Sequence, residues 1–496
     1  MVHTDQRPNT DINADDRLSP RDRLVIAILL VSTFVVVLNE TIMNIALPRL
    51  MQDLGITASY GQWLTTAFLL TTAVVIPVTG LMLKKFNTRP VFITSMTLFS
   101  LGTLISATSL GFPMLLAGRI VQAGGTAIMM PLLMTTVMTL VPPASRGKLM
   151  GSITIVISVA PALGPTVSGI ILNYLGWRWL FWLVLPIALA ALIFGSLRIL
   201  NVTQTEKVPV DILSIVLSAV AFGGLVYGLS SFGESATGTS LVAPWIPLSI
   251  GALTMVVFIM RQLSLQKKDS ALLDLRTFSS RMFSLSIIMM AISMIALFGT
   301  VILLPIYMQN VLGLEPVAAG ALLLPGGLIM GLLGPIVGRI YDKKGPRVLL
   351  IPGASIVSAV LWGMTTLNET TPIWWVLTLH ISLSIGLALM FTPLFTTGLG
   401  SVKPALYSYG SAIFGTVQQV AGAAGTALFI TVMTLQAANL HASGSETVHA
   451  TAGGIHAAFM YGGVLSLFAL ATAFFIRKPD TVETEGKDLA EEVLPS

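Results

Sequence analysis

The 496-residue chain contains no cysteine. That excludes disulfide staples and thiolate metal sites. Charge is scarce too: Asp, Glu, Lys and Arg make up 10% of the residues, against about 25% in soluble domains. No cluster of metal ligands and no nucleophile triad stands out, and the loops are short, which argues against a membrane enzyme. A cleavable signal peptide would place an apolar run near the start, followed by small residues. Residues 1–23 are instead polar, with Pro8, Pro20 and many Asp and Arg, and predict a disordered tail. What is present is apolar surface: 54% of residues are hydrophobic. The reading is an all-α polytopic membrane protein. The net charge of +5 is then no nucleic-acid signal, because Lys and Arg mark cytoplasmic loops in such proteins.

A span needs about 20 apolar residues. Fourteen candidate runs occur, the first from Leu24 and the last from near Gly453. Of the 27 Lys and Arg, 24 fall in alternate loops and the two ends. The opposite loops carry only Arg49 and Arg178, and Arg119 is left inside a span. Both termini are therefore expected in the cytoplasm.

The chain repeats itself. LPRLMQDLG from Leu47 recurs as LPIYMQNVLG from Leu304. Gly80, Lys85 and Arg89 map to Gly338, Lys343 and Arg347, and Gly151-Ser152 maps to Gly410-Ser411. Helices 1–6 thus correspond to helices 9–14. The expected layout is a tail over 1–23, a six-helix bundle over 24–200, an inserted helix pair over 201–265, a second six-helix bundle over 266–478 and a tail over 479–496. Two repeated halves with binding near the midplane is how many transporters are built.

The fifth span contains GSITIVISVAPALGPTVSG, from Gly151 to Gly169. It has no charge, and Gly151, Ala160, Gly164 and Ser168 are small enough to let another helix come close. Pro165 removes a backbone donor and bends the helix. The pattern fits either ordinary packing or a smooth helix that rocks against a neighbour. Between helices 10 and 11, Gly338-x3-Asp342-Lys343-x-Gly345-x-Arg347 forms a charged turn, in which Arg339 and Lys343 can pair Asp342 or cap helix carbonyls. In the first-half copy Lys84 stands at the position of the acid and Asn87 at that of Gly345. The intact form lies in the second half.

Glu40 near the end of helix 1 is the one acid well inside a predicted span, and Arg119 in helix 4 is the one strong base. Charges there are costly, roughly 2.5–3.5 kcal/mol on insertion scales, and mark a pathway or a pair. With helix 1 ending near Leu47 and helix 4 starting near Pro113, both lie on the order of 10 Å below the outer surface. Gln122 shares the Arg119 face and Asn44 lies one turn above Glu40. The four can form one polar network. Either Glu40 and Arg119 are a static pair fixing helix packing, or Glu40 carries a proton. Burial disfavours the charged carboxylate and a nearby guanidinium favours it, so relative movement of the two would load or release a proton.

Taken together these motifs resemble the major facilitator superfamily. The helix 5 stripe is similar to its antiporter motif and the Asp342 turn to its loop signature, which latches the cytoplasmic side. Thr41, Asn44, Ala46, Leu47 and Pro48 in helix 1, and Arg119, Gln122 and Gly125 in helix 4, resemble the signatures of its fourteen-helix drug:proton antiporters. The usual Asp is Asn39 here, with the acid one position later at Glu40, a variant similar to the lincomycin-resistance branch. Either Asn39 or Glu40 then faces the cavity. The resemblance implies two six-helix bundles plus two linker helices, proton coupling through Glu40 and Arg119, and conformational roles for Gly151, Gly164, Pro165, Gly169, Asp342 and Arg347.

Further cavity candidates are His380 in helix 12, Gln418 and Gln419 in helix 13, and Tyr307 at the outer end of helix 9. His380, Gln418 and Gln419 also have a plain reading as hydrogen-bonding groups between helices, and Tyr307 is expected to guard the outer mouth. Met129, Met130, Met134 and Met290 could form an adaptable binding wall, with plain core packing the reading for most of them. The expected function is proton-coupled efflux of amphipathic drug-like compounds by a monomer in a bacterial cell membrane, with protons, substrate and membrane lipids as partners and no nucleic acid. It would need no cofactor or metal, only the proton motive force. Export of an endogenous metabolite, or lipid flipping, would use the same scaffold.

Overall fold

In lipid a chain must satisfy its own backbone hydrogen bonds, and helices do so within one segment. The computed structural model describes residues 18–199, 201, 205–206, 208–236 and 242–479, without the side chains of a few of them, Asn44 and Pro165 included. Fourteen helices in it are long and apolar enough to cross a membrane. They are α1 Pro20–Leu54, α2 Ala58–Lys85, α3 Thr88–Ala107, α4 Phe112–Leu140, α5 Arg146–Tyr174, α6 Trp179–Arg198, α7 Ile212–Ala236, α8 Trp245–Leu265, α9 Arg281–Asn310, α10 Pro316–Lys344, α11 Arg347–Met364, α12 Ile373–Gly400, α13 Tyr407–Ala442 and α14 Thr447–Ala473.

The first helix differs from expectation at both ends. It begins at Pro20 rather than Leu24, because Ser19 accepts a hydrogen bond from the Asp22 amide and Pro20 suits the first turn. It runs through Pro48 to Leu54, where Gly55 adopts φ 61° and ends it. The tail residues 1–17 and 480–496 lie outside the described residues.

The repeat is visible in the packing. Within the first half α3 meets α4 and α1 meets α5; within the second α11 meets α12 and α9 meets α13. Gly164 packs on Thr41 of α1, and Gly425 of α13, the helix that corresponds to α5, packs on the Ile295 backbone of α9. Between the halves, α5 lies along α10 and α2 along α13, a pair of contacts that the repeat exchanges.

The inserted pair is bolted together separately. Gly224, Gly228 and Gly251 let α7 and α8 approach backbone to backbone. Arg261 of α8 grips Asp211, just before α7, through two hydrogen bonds of 2.7 and 2.8 Å. Against the bundle, α7 touches both α2 and α13. Trp63 of α2 stacks on Tyr227 with centroids 5.9 Å apart.

Candidate functional site

Arg119 is 1% exposed. A guanidinium at that depth needs partners, and neutral ones supply them. One terminal nitrogen, Nη1, donates to Gln122 Oε1 at 2.6 Å and lies 3.5 Å from Asn39 Oδ1. Gln122 Nε2 donates to Thr103 Oγ1 at 2.7 Å, and Thr103 in turn to the Phe99 carbonyl. The guanidinium carbon sits 4.1 Å from the Phe68 ring centroid, a cation–π contact from α2. Arg119 Nε is buried without a partner among the described residues.

The two adjacent candidates on α1 therefore separate. Asn39 is 2% exposed and touches the guanidinium. Glu40, about 100° further round the helix, is partly exposed. It is close enough to Arg119 for Coulombic coupling, yet no ion pair joins them within 4.0 Å among the described residues. A tight static Glu40–Arg119 pair is thus absent from this conformation. The Asn44 side chain lies outside the described residues.

The small residues of α5 divide between two neighbours. A Cβ on Gly151 would collide with the Gly334 carbonyl of α10, and one on Gly338 with the Gly147 carbonyl. Further along, Gly331 and Gly327 of α10 face Val159 and Ala162. The other side of α5 packs on α1, where Gly164 meets Thr41 and Ser168 Oγ donates to the Ile42 carbonyl at 3.1 Å. Gly169 faces open space, as does Gly320 of α10. The Pro165 side chain lies outside the described residues.

Asp342 takes a role other than pairing with its own loop. Its two oxygens accept from the backbone amides of Gly147 and Lys148, at 2.8 and 2.9 Å, across the seam between the halves. Those amides belong to the first turn of α5, where a helix presents unsatisfied donors and partial positive charge. Arg347 does not pair with Asp342; it donates to the Phe474 and Ile476 carbonyls and caps the end of α14.

Hydrogen bonds between the halves, among the described residues, are confined to the end carrying the basic loops and the middle of the bundle. Besides those of Asp342, they are a buried Thr154–Thr392 hydroxyl pair at 2.8 Å and a Gln419–Thr72 contact at 3.4 Å. Arg146 and Lys84 of the first half lie over Tyr407 and Tyr409 of the second, at 5.4 and 5.3 Å. The two halves are tied together at the basic end.

The remaining candidates are distributed along the second half. His380 Nε2 is 3.0 Å from the Leu323 carbonyl and its Nδ1 is buried without a partner among the described residues. Gln418 Nε2 is likewise buried and unpaired. Tyr307 is fully buried, its hydroxyl donating to the Asn368 carbonyl at 2.6 Å, so it ties α9 to the turn after α11 rather than lining an open mouth. Met129, Met134 and Met290 are fully buried in the core.

Sequence reasoning missed the partner of α5. The signal was present: Gly327, Gly331, Gly334 and Gly338 recur every three or four residues, one face of a helix. It also missed Phe68, Thr103, Thr154 and Thr392, which carry no local mark.

Comparison with known proteins agrees with the fold. The sequence profile of the Major Facilitator Superfamily matches residues 29–426. The lincomycin resistance protein LmrB of Bacillus subtilis is 40% identical over 459 residues, covering 91% of this chain and 95% of its own. LmrB of Listeria monocytogenes is 41% identical, covering 92% and 96%. The crystal structure of the human organic anion transporter MFSD10 superposes with a TM-score of 0.67 at 16% identity, covering 92% of this chain and all of its own; at that identity the likeness concerns the fold.

Proposed function

The chain belongs to the Major Facilitator Superfamily, and on that footing we propose that it is a proton-coupled exporter of amphipathic drug-like compounds, working by alternating access. It would sit as a monomer in a bacterial cell membrane with both termini cytoplasmic, as the basic loops suggest. The names of the two lincomycin resistance relatives make lincomycin the first compound to test.

The observation that carries the reading is the arrangement around Arg119. Its charge is held in place by neutral Asn39 and Gln122, while Glu40 stands near but unbonded to it. Glu40 can then gain or lose a proton without breaking a salt bridge. Its charge still acts on Arg119 through space, strongly where water is sparse. The tie at the basic end fits the outward-facing half of a cycle, in which substrate leaves and a proton enters. A proton crossing the potential contributes about 2.3 kcal/mol per 100 mV.

Proteoliposomes with an imposed pH gradient test this. The chain should move lincomycin or another amphipathic compound against its gradient, and Glu40→Gln should abolish that movement while the protein remains folded. Gradient-driven transport at the unmodified rate by the Glu40→Gln variant would sink the assignment.

A further inference from the structure

A cavity of about 360 Å³ opens at the basic end of the second half. It is lined by Lys343, Lys344, Gly345, Pro346, Arg347, Arg477 and Lys478. Five of its seven lining residues are cations. Among the described residues, none of the five is in an ion pair within 4.0 Å. The nearest acid in sequence, Asp342, has both oxygens engaged by α5 amides. Two of the lining residues are held in place: Arg347 is anchored to the Phe474 and Ile476 carbonyls, and the Lys478 side chain packs beside the buried Gly345 turn. Asp342 acts on Lys478 through space, but one carboxylate does not balance five cations, and such a concentration of positive charge suits an anion.

The surroundings indicate which anion. Three candidate spans end at this cavity, Val317–Lys344, Arg347–Met364 and Thr447–Ala473. The cavity therefore lies at headgroup level. Val348, Phe474 and Phe475 beside it are 51%, 52% and 55% exposed, an apolar surface suited to acyl chains. Basic pockets between spans at this level take lipid headgroups, with each Lys or Arg near the surface contributing about 1 kcal/mol.

We propose that the cleft between the α10–α11 turn and the segment after α14 is a binding site for the phosphate of an anionic phospholipid. Lys343, Lys344, Arg477 and Lys478 hold the phosphate, Arg347 fixes the floor, and the exposed Phe474 and Phe475 meet the acyl chains. The site lies next to Asp342, so an occupied site places negative charge beside the tie between the halves.

The test uses the full chain in nanodiscs of phosphatidylcholine containing a minor share of phosphatidylglycerol or cardiolipin, with bound lipids counted by native mass spectrometry after extraction. The chain should retain the anionic lipid selectively. Neutralising three lysines together (Lys343→Gln, Lys344→Gln, Lys478→Gln) should weaken retention roughly tenfold or more, with each single change giving a smaller loss. Lys267→Gln with Lys268→Gln, exposed at the same end but outside the cavity, should leave retention unchanged. Equal loss from that control would mean general surface charge and overturn the site. Displacement of the lipid by millimolar inorganic phosphate alone would mean a free-anion site and overturn it too. Residues 480–496 are rich in Asp and Glu. If selective retention emerges only once those acids are changed to amides, the chain's own tail fills the cleft and the proposal fails.

Discussion

Asp342 and Gly147 belong to different halves of the molecule, and the carboxylate of one accepts the backbone amide of the other at 2.8 Å. The contact depends on the helix end, not on a side-chain partner. A Cβ on Gly147 would crowd both the Asp342 carboxylate and the Gly338 carbonyl, so glycine is what lets the acid reach the amide. Any cycle that opens the basic end must undo this bond and leave the first turn of α5 to water.

Removing the charge should therefore loosen the tied state without disturbing either half. For Asp342→Asn we expect a loss of about 1 kcal/mol from the tied conformation, the scale of a charge at a helix end. Spin labels on the α2–α3 and α12–α13 turns should report a larger share of long distances. An unchanged distance distribution would show that the bond does not hold the seam.

Arg119→Lys keeps the charge but not the shape. An ammonium cannot lie flat on Phe68 while meeting both Asn39 and Gln122. Leaving a buried polar partner unsatisfied costs about 1–3 kcal/mol. The variant should fold with a lowered melting temperature and fail in gradient-driven exchange. Transport at the normal rate would remove the guanidinium geometry from the mechanism.

The buried hydroxyl pair allows a cleaner measurement. Thr154→Val strands the Thr392 hydroxyl and should cost about 1–3 kcal/mol, Thr392→Val leaves Thr154 its own-helix acceptor, the Met150 carbonyl at 3.4 Å, and should cost less, and the double change should be nearly neutral. A double-mutant cycle on thermal stability reads the coupling directly. Additive losses would mean that the two groups do not bond.

Asp211 supplies a pH test outside the spans. The Arg261 hydrogen bonds hold its carboxyl well below the usual carboxylate range, against the opposing effect of burial. A depressed native value stabilises the fold above the unfolded value, about 3.9, and that stabilisation is lost as pH falls further. The gap in melting temperature between the unmodified chain and Asp211→Asn should hold steady from about pH 5 to 8 and narrow below about pH 4. A gap that widens on acidification would contradict the assignment.

Much of the architecture was legible because lipid leaves few options. Length and hydropathy located the helices, and the recurrence of the Leu47 segment at Leu304 pointed to two halves. The site was legible only in part. Arg119 and Gln122 stand one turn apart on one helix, so a local pattern pairs them. Whether Asn39 or Glu40 meets the guanidinium depends on how α1 is rotated about its axis, which packing against α4 and α5 decides. The α10 glycines mark a face open to close approach, but periodicity names no partner for it. Arg347 was read with its own loop, yet its bonds go to a segment more than a hundred residues away.

The position of α7 has a mechanical consequence. It rests on α2 from one bundle and α13 from the other, with Trp63 stacked on Tyr227. Under the proposed alternating access, α7 cannot keep both footholds as the bundles tilt: it must travel with one and slide along the other, so the inserted helix pair would act on that cycle as a clutch plate.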